Sequence, residues 1–90
     1  MAHYVYIIQS QADGSFYKGY SDNPSVRLVR HNNKESSYTS GKVPWSLIYV
    51  EEMDSKKAAL VREKNLKKAS KERITSLISH SKNIVARFVG

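Results

Sequence analysis

The chain contains no cysteine. For ninety residues that absence is the tightest constraint on folding, because it removes disulfide staples, thiol catalysis and any zinc ribbon together. Stability must come from packing alone. A hydrophobic content of 40% supplies enough apolar side chains for one compact core and too few for two, so a single domain over 1–90 is expected. Cysteine-free packing suits the reducing cytoplasm. No apolar run approaches the roughly 18 residues of a membrane span, and Met1-Ala2-His3-Tyr4 lacks the basic and apolar regions of a signal peptide. No membrane association is expected.

The segments His3-Tyr4-Val5-Tyr6-Ile7-Ile8-Gln9 and Ser15-Phe16-Tyr17-Lys18-Gly19-Tyr20 are β-branched and aromatic, with turn chemistry at Gln11-Ala12-Asp13-Gly14 between them. This predicts a β-hairpin. Asn23 as N-cap and Pro24 at the first helical position then open a helix of two to three turns ending near His31. Residues 32–44 are polar and broken by Gly41 and Pro44, so they read as loop with at most a short helical turn. Trp45 to Val50 restores the strand pattern. Asp54-Ser55 caps the longest helix, Lys56 to Ala69, whose Ala58, Ala59, Leu66 and Ala69 fall on one face. A further helix runs from Lys71 through Ile74, Leu77 and Ile78, and Ile84 to Val89 fits either a strand or a docked end.

Fifteen Lys and Arg against eight Asp and Glu give a net charge of +7, unevenly spread: +2 over residues 1–50 and +5 over 51–90. Lys56 to Arg73 alone holds eight basic and two acidic residues. Such density points to a polyanion, most commonly nucleic acid, since each cation that neutralises a phosphate releases a counterion. A solvated helix face explains the same run equally well.

Several side chains could share one site. Tyr6 and Tyr17 lie on the two hairpin strands, where antiparallel pairing can bring them to one face, although strand tyrosines ordinarily pack with a wet hydroxyl. Arg27 and His31 are four apart on the first helix and could both reach a single phosphate. Glu63 sits beside Ala59 and Leu66 at the edge of the apolar stripe, either as the helical partner of Lys67 or as a ligand for Mg2+, a cation often held by one or two carboxylates with phosphate and water.

Tyr4-Val5-Tyr6, Tyr17-Lys18-Gly19, Arg27-Leu28-Val29-Arg30-His31-Asn32 and Arg62-Glu63, with Tyr38-Thr39, Gly41, Pro44, Leu47, Tyr49 and Glu51 between them, resemble the GIY-YIG nuclease superfamily. More closely, the chain is similar to its stand-alone single-domain bacterial branch of small predicted endonucleases, and the likeness covers residues 3 to about 78. Tyr4 replaces the Gly of the first namesake motif and Lys18 the Ile of the second; neither change removes a family catalytic residue. Asn65 and Asn83 match by identity only the Asn that many members carry after the metal-binding Glu.

The resemblance implies an α+β fold, a three-stranded antiparallel sheet flanked by helices in the order β-β-α-(α)-β-α, with a core at about 3–78 and a C-terminal tail at 79–90. It implies a metal-dependent endonuclease hydrolysing DNA phosphodiesters, selecting structure rather than sequence, in repair or recombination. Tyr6 would be general base or its relay, helped by Tyr17 and with its phenol depressed by metal-bound water and nearby cations; Arg27 would clamp the scissile phosphate, His31 would orient or assist, and Glu63 would hold Mg2+ or Mn2+. Lys18, Arg30, Lys64, Lys67 and Lys68 would contact DNA, with RNA open as a substrate. The competing expectation is a nucleic-acid-binding module on the same fold with little or no turnover.

Overall fold

The predicted hairpin forms as strands β1 (His3–Ser10) and β2 (Phe16–Ser21). Ser10 accepts the amides of Ala12 and Asp13, Asp13 accepts the amide of Ser15, and Gly14 turns the chain at φ 78°, a conformation open to glycine at no steric cost. Strand β3 (Trp45–Met53), three residues longer than the sequence pattern indicates, pairs antiparallel with the far side of β1, giving the order β2-β1-β3. The central strand therefore carries an unbroken buried run from Val5 to Ile8, as a strand covered on both faces must. The computed structural model describes residues 2–88.

The two faces of the sheet build two clusters. Val5, Ile7 and Tyr49 pack beneath helices α3 (Lys56–Lys67) and α4 (Lys71–Ile78) against Ala59, Leu66, Ile74 and Leu77. Tyr6, Ile8, Trp45, Leu47 and Val50 form the other, beneath Leu28 of α1 (Pro24–Asn32). The register between β1 and β3 shifts after Ile7, so Ile7 faces Tyr49 while Ile8 faces Leu47. The extra residue, Ile48, reverses the alternation, so that Trp45 and Leu47 before it and Val50 after it face the same cluster.

Helices α1, α3 and α4 each start at a side-chain cap. Asn23, Ser55 and Ser70 accept the amides of Val26, Ala58 and Arg73, and Pro24 takes the first position of α1. Helix α3 stops at Lys67, two residues early, and Ala69 packs against the core from the connection to α4. Within the polar stretch after α1, only α2 (Ser37–Ser40) is helical.

The residues after 78 pack against the outer edge of the sheet. Asn83 donates through Nδ2 to the carbonyls of Ile48 and Ile78 and accepts through Oδ1 from the amides of Val50 and Val85, while the Ile84 amide donates to the Val50 carbonyl at 2.8 Å. Ile84, Val85 and Phe88 lie against the Tyr6 cluster. The segment is thus a docked end with one 3₁₀ turn, Val85–Arg87, that pairs the outer edge of β3 and blunts it against edge-to-edge association. Val89, the last residue of the predicted segment, lies outside the described residues.

Candidate active site at the edge of the hairpin

Tyr6 stands directly opposite Gly19 in the β1–β2 register. A Cβ on Gly19 would lie 2.6 Å from both Cζ and Oη of Tyr6, so the glycine lets the phenol cross the backbone of β2. Tyr6 is fully buried, and its hydroxyl meets Nε2 of His31 at 3.0 Å. The other ring nitrogen of His31, Nδ1, lies 2.9 Å from Oγ1 of Thr39, whose own hydroxyl points to the carbonyl of Ser36 at 3.4 Å. With its proton committed there, Thr39 can only accept, which puts the imidazole proton on Nδ1 and leaves Nε2 to accept from Tyr6. Thr39 is itself fixed: its carbonyl accepts from Trp45 Nε1, and Trp45 exchanges two hydrogen bonds with Asn32.

This geometry corrects the expectation that Arg27 and His31 would both reach a phosphate. His31 is only 2% exposed and both its nitrogens are engaged, so its chemistry passes through Tyr6. Burial, with the neighbouring Arg27 charge, lowers its pKa and keeps the imidazole neutral. At Tyr6 two influences oppose each other. Arg27 pulls its pKa down, but burial outweighs that pull and raises the phenol above its ordinary value. Tyr6 therefore stays protonated near neutrality, suited to handing a proton along rather than standing as phenolate.

Tyr17 shares this face, with its ring centroid 4.9 Å from that of His31, 6.4 Å from Tyr6 and 5.7 Å from Tyr38. Arg27 lies beside Tyr6, and its Nε is buried with no hydrogen-bond partner among the described residues. A buried cationic donor left unpaired is costly unless an anion completes it. Glu63 approaches from α3, on the opposite face of the sheet, and its charge is felt at the Tyr6 phenol. Its side chain is 20% exposed and lies 3.9 Å from Lys67 Nζ. Helix α3 is held in rotation by a buried cluster in which Tyr49 donates to Glu51 at 2.6 Å and Arg62 Nε donates to the same oxygen at 3.1 Å. Burial and Glu51 push the Tyr49 phenol up to about 12.

Among the basic residues, Lys18 and Lys67 line one cleft with Phe16, Tyr17 and Tyr38, whereas Arg30 lines a smaller cavity beside Arg27, His31, Glu35 and Ser36. Lys64 and Lys68 are exposed at the C-terminal end of α3 and line neither. Asn83 is committed to the edge of β3 and belongs to no site; Asn65 lines a separate groove with Met53 and Arg62. The supporting roles of Thr39, Asn32 and Trp45 were not legible in spacing, because they arise from a loop folding back on α1. No three His, Cys, Asp or Glu side chains gather as a metal cage among the described residues. Glu63 nevertheless fits a hard divalent cation, since a partly exposed carboxylate can supply one oxygen and leave the other positions to phosphate and water.

Residues 2–76 match the GIY-YIG catalytic domain. The chain belongs to the GIY-YIG family. A UPF0213 protein of Staphylococcus saprophyticus is 40% identical over 78 residues, covering 86% of this chain and 94% of that one. A UPF0213 protein of Natronomonas pharaonis is 42% identical over 78 residues, covering 82% and 91%. The solution NMR structure of the UPF0213 protein BH0048 from Bacillus halodurans aligns with a TM-score of 0.57 at 34% identity, over 91% of this chain and 87% of that one. GIY-YIG membership indicates the nuclease superfamily, a nucleic-acid substrate and, in general, a divalent metal. Among the described residues no helix is long and apolar enough to cross a membrane.

Proposed function

We propose that the protein is a metal-dependent endonuclease that hydrolyses phosphodiester bonds in DNA and works in repair or recombination, selecting its substrate by structure. The observation that carries this reading is the hydrogen-bonded chain from Tyr6 through His31 to Thr39, which begins beside an arginine donor that lacks a partner among the described residues. Arg27 receives the scissile phosphate and stabilises the charge that grows on it. Water attacks phosphorus while giving its proton to Tyr6 Oη, and Tyr6 passes its own to His31 Nε2. A neutral imidazole is the form that can accept, which the lowered pKa of His31 secures. The bond from phosphorus to the 3′ oxygen breaks, leaving a 5′ phosphate and a 3′ hydroxyl that takes its proton from solvent. Tyr17 packs on His31 and keeps the pair aligned. Glu63 would hold Mg2+ or Mn2+, which supplies neutralisation of charge on the leaving oxygen.

Glu63→Gln tests this assignment, because it preserves shape and removes the charge that holds a cation. The variant should fold with unchanged or slightly raised thermal stability, lose cleavage of nicked, flapped, branched, single-stranded and duplex DNA, and lose the stabilisation that Mg2+ or Mn2+ gives the wild type. A variant that responds to metal and cuts as the wild type does would place the metal elsewhere. Binding without cleavage by the wild type would leave a nucleic-acid-binding module on this fold.

A further inference from the structure

Tyr38 is 68% exposed, an unusual position for a large aromatic side chain, yet it is not loosely held. The next residue, Thr39, is fully buried and tied to His31 and Trp45, so the short helix α2 presents Tyr38 at a fixed place. Its ring stands 5.7 Å from Tyr17, extending a row of aromatic rings that starts at the buried Tyr6 and runs out to solvent. Tyr38, Tyr17, Phe16, Lys18 and Lys67 line a cleft of about 460 Å³, within the size range of small-ligand sites. Tyr17 points to one face of the sheet and Phe16 and Lys18 to the other, so the cleft wraps the outer edge of β2.

We propose that this cleft takes an unpaired nucleobase stacked on Tyr38, with Lys18 and Lys67 on the flanking phosphates, so that the preferred DNA is one with an unstacked nucleotide beside the cut. The proposal rests on the nuclease reading and narrows its substrate. Aromatic rings and lysines in one cleft are the pairing that single strands use: every base offers a π-face, and the cations follow the backbone without reading sequence. In continuous duplex those faces are covered by neighbouring bases, and the ring of Tyr38 gains nothing from them. The row of rings also leads from the cleft to Tyr6, so a base held there sets its adjoining phosphate toward Arg27.

The test uses DNA carrying 2-aminopurine as a single strand, at a flap junction and paired inside a continuous duplex, titrated with the full chain in chelator so that no cleavage occurs. The fluorescence of the base should change on binding the strand and the flap and stay unchanged in the duplex. Tyr38→Ala should weaken strand binding about tenfold or more, and Tyr38→Phe should restore it. Equal binding by wild type and Tyr38→Ala, or an equal response from the duplex, would overturn the proposal. Cleavage assays with Mn2+ separate the two readings. A protein that cuts nothing yet binds strands through Tyr38 removes the nuclease reading alone, whereas one that cuts the flap no better than continuous duplex, and equally well with and without Tyr38, removes this one alone.

Discussion

Gly19 shows how one missing side chain can shape a candidate site. With 2.6 Å from its ideal Cβ to the Tyr6 ring, Gly19→Ala must displace the phenol from His31, and the crowding should cost about 1–3 kcal/mol. Urea denaturation should register that loss and cleavage should fall with it; an alanine variant as stable and active as the parent would show that the phenol relocates freely. His31 carries a prediction of opposite kind. An unfolded histidine takes up a proton near pH 6.5, whereas burial and Arg27 lower the folded value, so the unfolded chain binds more protons in the window between. Stability should fall as pH drops below about 6.5, and His31→Gln should flatten that part of the profile in thermal melts at stepped pH. Tyr6, Tyr17, Arg27, His31 and Glu63 were legible because motif order singled them out. Their division of labour was not: the sequence suggests an imidazole free to meet a phosphate, and Thr39 and Tyr6 occupy both its nitrogens.

At the scale of elements, capping chemistry made the starts of α1 and α3 readable, because Asn23 and Ser55 each satisfy an amide the helix leaves unpaired. The shift beside Ile7 and Ile8 was unreadable, since an extra residue in a strand leaves no local mark and shows only in what each face buries. Helix α3 combines two surfaces. Leu66 and Ala59 anchor it while Lys64, Lys67 and the capping Lys68 stay in solvent. Changing these three lysines to Gln should weaken binding to every DNA sequence alike and flatten the salt dependence by about 0.9 for each duplex phosphate the protein no longer neutralises. Affinity measured across a salt series on unrelated sequences checks this, and weakening confined to one sequence would contradict it.

Across the whole molecule, the sheet's two outer edges have different fates. That of β3 is closed by Asn83 and Ile84, while that of β2 borders the cleft. Asn83→Ala would strip partners from the Val50 amide and the Ile48 carbonyl, costing about 1–3 kcal/mol and speeding hydrogen exchange at Val50. Unaltered exchange there would mean the end docks through Ile84, Val85 and Phe88 alone. Tyr6 raises a different issue, since the phenol proposed to relay protons is also among the largest fully buried side chains of its cluster. Natural variation at Tyr6 and His31 would be judged twice, once by folding and once by turnover. Arg27, Glu63, Lys18 and Tyr38 meet solvent and carry no comparable packing duty. A mutant library sorted only for a folded reporter should therefore already be depleted at Tyr6 and His31, before any DNA is added, and should keep its diversity at the four outer positions.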